Sequence, residues 1–255
     1  MNLHQALLLC LVGAIAGALN AVAGGGSFIS FPTLLFTGVP PVPANATNTL
    51  ALWLGATASG GAYRSRLNIS RRVMIPLVIT SIIGGVLGAI LLIKTPASTF
   101  LRVLPWLLLG ATLLFTFGKH LTSRISARVT HDASTNALIG ASMFELLVAI
   151  YGGYFGGGIG IMNLAMFASM GMTDVHEMNA LKTILGATIN GVAAVTFVFT
   201  GAILWPQALV MTIGAVIGGY YGAHYAMKAP QHWIRTIVIV VGFSMSAYFF
   251  YRAYR

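Results

Sequence analysis

Three consecutive glycines interrupt an apolar run at two places in this sequence. Gly24, Gly25 and Gly26 lie within AVAGGGSFISFP, and Gly156, Gly157 and Gly158 lie within GGYFGGGIGIMN. Each glycine costs a helix interior about 1 kcal/mol relative to alanine, and each break frees backbone N–H and C=O groups from helical pairing. In lipid, broken backbone is tolerated only where it is buried in protein or lines a polar cavity. Whether the chain sits in lipid therefore decides what the triplets mean. With 57% hydrophobic and 7% charged residues and a mean hydropathy of +0.87, it has too little polar surface to enclose one water-soluble core. Several apolar runs approach the ~20 residues needed to span a bilayer, and the ~10-residue alternating segments of a β-barrel are absent. The expected fold is all-α, a polytopic helical membrane protein with broken or re-entrant helices at the glycines. The triplets then read either as a substrate site or as points where helices pack closely, and their doubling favours a site.

In chain order, the pattern predicts an apolar segment over residues 7–23, the first break, and a short helix over 28–36. About 30 residues of helix would be roughly 45 Å, too long for one perpendicular span and short for two, so a broken pair is expected. The prolines of GVPPVPANATNT are expected to stop that helix, with Asn45, Thr47 and Asn48 capping the next, which runs to about residue 63. Arg64, Arg66, Arg71 and Arg72 form the strongest cytoplasmic signal. Spans over 73–93 and 100–117 follow, and then a polar linker.

The second half repeats this order. GGVLGA at residue 84 recurs as GGYYGA at 218, FLRV at 100 as WIRT at 233, and the triplets stand 132 positions apart between Gly24 and Gly156. The expected organisation is a first transmembrane repeat over 1–118, a cytoplasmic linker over 119–136 and a second repeat over 137–255. Inverted and parallel repeats each place nine basic residues inside and four outside. The uncharged TGAILWPQ that corresponds to the four-arginine loop leans toward inversion. The net charge of +10 is explained by topology and anionic headgroups, with no nucleic acid implied. Cys10 is alone, so neither a disulfide nor a cysteine metal site is expected, and no motif implies a cofactor.

The residues also carry a resemblance. AGGGSF-x(3)-P-T-L, the following G-x-P-x(3)-A-x-A-T-N up to Asn48, G-x-F-G-G-G-x-G at 153–160 and NALKTILGATIN at 179–190 together resemble the TauE/SafE family of sulfite exporters and related anion permeases, over about residues 15–251. The resemblance implies a secondary transporter, an exporter of a small and often sulfur-containing anion such as sulfite or an organosulfonate.

An anion reading also follows from the residues. Lys182 is a lone cation among Ala, Leu, Thr, Ile and Gly, and an intramembrane charge is a functional-site hypothesis by default, although a lysine near a helix start can also snorkel to the interface. Glu145 could neutralise it, carry a coupling proton, or serve a structural ion pair. Substrate oxygens would be bound by Ser27, Thr47, Asn48 and the backbone N–H groups following Gly24, Gly25, Gly26 and Gly156, Gly157, Gly158, where helix N-termini add partial positive charge. Asn190 and, behind it, Asn163 are further candidates, with interhelical hydrogen bonding as their other reading. Asp174, His176 and Glu177 form a polar boundary that implies no metal. No hydrolase, zinc-protease or nucleotide-binding motif indicates an enzyme. The alternatives are a passive anion channel and a non-transporting structural or assembly protein. The expected partners are a small anionic substrate, the lipid bilayer and a coupling proton or ion; the sequence leaves a homo-oligomer open.

Overall fold

The computed structural model describes residues 1–22, 25–60, 70–124, 135–172, 175–225 and 231–255. Their helices are α1 (Leu3–Val22), α2 (Ser27–Phe36), α3 (Pro41–Gly60), α4 (Arg71–Lys94), α5 (Ala97–Arg124), α6 (Thr135–Tyr154), α7 (Ile159–Ser169), α8 (Val175–Phe199), α9 (Trp205–Tyr225) and α10 (Gln231–Tyr254). Six are long and apolar enough to cross a bilayer: α1, α4, α5, α6, α8 and α10. With 10 and 11 residues, α2 and α7 reach only about 15–17 Å, half a bilayer core. The all-helical expectation and the short helix after each triplet match this arrangement.

One local expectation needs correction. The prolines at 41 and 43 do not hold the helix off until residue 45; they form its first turn, where a missing N–H leaves no gap and the fixed φ suits a helix. Asn45, Thr47 and Asn48 are consequently not caps but buried groups inside α3. Helix α5 extends to Arg124 and α6 begins at Thr135, within the segment expected as a linker. Most of the four-arginine loop, together with Gly24, Asp132, Asp174 and Lys228, lies outside the described residues.

The outer surface is apolar. On α4, Ile75, Ile79, Ile83, Leu87 and Leu91 are exposed at four-residue intervals, and Leu209, Ile213 and Ile217 repeat the pattern on α9. So broad an exposed apolar face suits lipid and not water. Polar groups turn inward instead: Ser30, Asn45, Thr47, Asn48, Ser81, Glu145 and Asn163 are all buried.

Packing follows the small residues. A methyl on Gly88 of α4 would run into the backbone of Ile150 in α6, and one on Gly218 of α9 into that of Ala14 in α1. These close approaches are the structural use of the paired GGVLGA and GGYYGA motifs. Contacts also give helix directions. Arg72 meets Thr135, Ser81 meets Glu145 and Gly84 meets Ala149, so α4 and α6 run parallel. Gly13 against Met211 and Gly222 against Ala18 likewise make α1 and α9 parallel. In α5 and α10 the order reverses, Thr112 against Gly242, Trp106 against Phe250 and the Arg102 carbonyl against Tyr254, so this pair is antiparallel. Exchanging each of α1–α5 with its counterpart in α6–α10 maps the α1–α9 contact onto α4–α6, α3–α9 onto α4–α8 and α5–α7 onto α2–α10. The same exchange leaves α3–α8 and α5–α10 paired with each other.

Candidate functional site

The two breaks meet inside the bundle. Phe31 of α2 stands edge-on to Phe155, just before Gly156, with centroids 6.0 Å apart, and edge-on to Phe100 of α5 at 6.3 Å; all three rings are buried. Asn45 of α3 donates from Nδ2 to the Tyr154 carbonyl at 3.0 Å, one of the last carbonyls of α6 that the break deprives of a helical partner. Asn45 thus ties a helix of the first half to the end of a helix in the second.

At the first break the groups largely satisfy one another. A methyl on Gly25 would lie 2.6 Å from Val238 Cγ1 of α10, and one on Gly26 would meet the backbone of Ala16 in α1, so neighbouring helices occupy the space that side chains would need. Ser30 Oγ lies 2.5 Å from Asn48 Oδ1 and 3.0 Å from the Gly26 carbonyl, while Asn48 Nδ2 donates to Ser27 Oγ at 3.4 Å. The Thr47 hydroxyl accepts the N–H of Leu204 at 3.1 Å, just ahead of α9.

The second break is built differently. Gly156 and Gly158 take φ of 84° and 83°, the left-handed region that costs a residue with a Cβ about 1–2 kcal/mol. A methyl at Gly158 would make only ordinary contact, 3.4 Å from Ala111 Cβ, so conformation and not crowding requires glycine there. Between them, Gly157 packs against the Phe155 ring, and its carbonyl accepts from Tyr151 Oη at 2.7 Å. Gly158 is the N-cap of α7 and has no side chain to cap with. Among the described residues, the N–H groups of Ile159 and Gly160 have no acceptor. Two first-turn donors and the positive end of α7 therefore stay open at the break.

Helix α8 lays two of the predicted residues along this opening. A Cβ built on Gly160 would lie 3.1 Å from Lys182 Cδ, so the lysine stem crosses the first turn of α7, and one built on Gly156 would lie 3.5 Å from Asn190 Oδ1. One turn beyond Gly160, Asn163 is fully buried, and neither its Oδ1 nor its Nδ2 has a partner. A buried group without a hydrogen bond costs about 1–3 kcal/mol, so an amide with both ends open is an expensive feature with no packing purpose.

Glu145 is placed otherwise than expected. It is fully buried on α6 and faces α4: Oε1 lies 2.6 Å from Ser81 Oγ and Oε2 has no partner. The reading of Glu145 as counter-ion to Lys182 is therefore corrected, since the register of α4 against α6 gives it a serine instead. Among the described residues, no three His, Cys, Asp or Glu come together as metal ligands. The side chains of Asp174 and His176 lie outside those residues.

Four residues of the site were not singled out from sequence for the role they play here. Ser30 and Ser81 carried a weak signal as hydroxyls inside apolar runs, Asn45 was read as a cap, and Tyr151 had no distinguishing mark.

The chain's likeness to known proteins agrees with this architecture. The family described as sulfite exporter TauE/SafE matches residues 9–249. The chain belongs to the TauE/SafE family. Its relatives include a probable membrane transporter protein of Haemophilus influenzae, 31% identical over 95% of this chain and 92% of the relative. A probable membrane transporter protein designated ORF9 from Sinorhizobium is 30% identical over 88% of this chain and 84% of its own. The probable membrane transporter YfcA of Escherichia coli K12 is 25% identical over 96% and 89%. No solved structure gives a significant match. TauE/SafE membership and, among the described residues, six helices long and apolar enough to cross a bilayer make this a multi-pass integral membrane protein of a transporter family.

Proposed function

We propose that this TauE/SafE protein is a secondary transporter that exports a small oxyanion, such as sulfite or an organosulfonate, and binds it at the second helix break. The observation that carries this reading is the gathering of unused donors there: the N–H groups of Ile159 and Gly160 and the amide of Asn163, with Lys182 and Asn190 alongside. An oxyanion presents several acceptors, and charge-assisted bonds to it are about twice as strong as neutral ones, so donors without acceptors at a helix N-terminus are its complement. Gly156, Gly157 and Gly158 shape the cradle. Gly25, Gly26, Ser27 and Asn48 form the facing wall, and Thr47 anchors that wall to the start of α9. The halves are inverted repeats, a reading supported by the antiparallel run of α5 against α10, and they rock about the α3–α8 contact. Glu145 carries the coupling proton, since a buried carboxyl with one unpartnered oxygen can change protonation without breaking an ion pair.

The test is flux of labelled sulfite in proteoliposomes. Unlabelled sulfite on the opposite face should accelerate it, and Asn163→Ala or Lys182→Met should abolish binding in protein that still folds. Flux without trans-acceleration would instead indicate a passive channel, and unchanged sulfite affinity in both variants would remove the site from this break.

A further inference from the structure

A second anion-binding feature lies far from the breaks. Where α5 starts and α10 ends, Ser98, Leu101, Arg102, Phe249, Arg252 and Ala253 line a cleft of about 190 Å³. Arg102 and Arg252 are both exposed, and neither has a carboxylate partner among the described residues.

Topology makes this accumulation of charge unusual. Helix α4 runs from Arg71 to Lys94 and α5 from Ala97 to Arg124, so the cleft lies at the end of the bundle opposite Arg71, Arg72 and Arg124. By the positive-inside rule the arginine-rich end is assigned to the cytoplasm, and the opposite surface is where lysine and arginine are normally depleted. Yet Lys94, Arg102, Arg252 and Arg255 gather there, Arg255 lying over the Tyr251 ring at 4.9 Å.

An aromatic wall flanks the arginines. Trp106 Nε1 donates to Tyr254 Oη at 3.0 Å, Tyr254 Oη donates to the Arg102 carbonyl at 3.2 Å, and Trp106 stands edge-on to Phe250 at 4.8 Å. Trp106, Tyr251 and Tyr254 are 58–61% exposed, as rings at headgroup depth are. Deeper along the same helices, Leu113 and Phe243 present an exposed apolar surface suited to acyl chains.

We propose that this cleft binds the phosphate of an anionic phospholipid from the non-cytoplasmic leaflet, held between Arg102 and Arg252 with Ser98 as a further donor and its chains against α5 and α10. A transported anion could share the arginines, but it would not use the aromatic wall or the apolar surface below.

The experiment uses the full chain in detergent, with thermal unfolding and native mass spectrometry after addition of phosphatidylglycerol, phosphatidylcholine or inorganic phosphate. Wild type should retain and be stabilised by phosphatidylglycerol alone. Each arginine near the headgroup contributes about a fivefold gain in affinity, so Arg102→Gln/Arg252→Gln should weaken phosphatidylglycerol binding about 25-fold without moving the lipid-free midpoint. Ser98→Glu, which sets a carboxylate beside the arginines, should have the same effect, and Arg102→Lys/Arg252→Lys should retain most of the binding. Undiminished binding in the glutamine and glutamate variants would overturn the proposal. So would inorganic phosphate that stabilises as well as the lipid, since the cleft would then be a free-anion site.

Discussion

Replacing Gly158 with alanine tests the second break with little confusion from packing. At φ 83° the new Cβ incurs about 1–2 kcal/mol from the left-handed backbone, while its nearest neighbour, Ala111 Cβ at 3.4 Å, adds nothing beyond van der Waals contact. The expected loss is therefore about 1–2 kcal/mol, a change of roughly 5- to 30-fold in the ratio of folded to unfolded protein. Relief requires residue 158 to rotate to negative φ, which re-aims the N–H groups of Ile159 and Gly160. Sulfite binding should consequently fall much further than stability. Thermal unfolding in detergent measures the first quantity, and proteoliposome flux with a binding titration measures the second. Gly158→Asn should lie between alanine and wild type in both, because asparagine tolerates the left-handed region better. If alanine left both the midpoint and the flux at wild-type values, the break would not depend on this geometry and the argument would fail.

The buried carboxyl gives the next prediction. Glu145→Gln keeps a group that can bond Ser81, so the protein should fold and bind sulfite while flux stops responding to a pH gradient; a retained response would clear Glu145 of coupling. Ser81→Ala removes the one described partner of that carboxyl and should destabilise the protein by about 1–3 kcal/mol, an amount that should shrink when Glu145→Leu is added. Gly160→Leu should displace the Lys182 stem lying across it and weaken anion binding about as much as Lys182→Met; if only the lysine variant lost binding, the contact would have no role in positioning. In a Cys10→Ser background, cysteines at the exposed Ser70 and Thr200 should react with an impermeant thiol reagent from opposite faces, and labelling from one face would exclude inverted repeats.

Much of this architecture could be read from the sequence because it depends on features that act locally. Run length and hydropathy mark the spans, and glycine triplets break helices wherever they stand, so α2 and α7 were expected close to where they occur. The start of α3 was misplaced because a proline ends one helix and begins another equally well, and only the chain beyond shows which. Partners were harder. Glu145 meets Ser81 across 64 positions because α4 and α6 pack in one register, which small residues such as Gly84 and Gly88 set, and nothing in either segment alone gives that register. The sequence also offered two readings of the glycines, and the structure divides them by position: packing at Gly25 and Gly26, backbone conformation at Gly156 and Gly158.

That division gives the two halves different tasks. Around the first break, Ser27, Ser30 and Asn48 use their polar groups on one another and on the Gly26 carbonyl. Around the second, Asn163 keeps both amide ends open, and the first turn of α7 keeps donors free. A group already bonded gains little from a new partner, because binding exchanges one hydrogen bond for another. A buried group left open gains close to its whole desolvation cost when a partner arrives. On the proposed function, the binding energy of an incoming anion would therefore be concentrated on the second break, although the halves share one helix order. Asn45, which bonds the Tyr154 carbonyl, joins the first break to the end of α6 beside the second. Asn45→Leu should thus weaken anion binding through the position of that helix end, even though Asn45 belongs to the half that holds the fewer open donors.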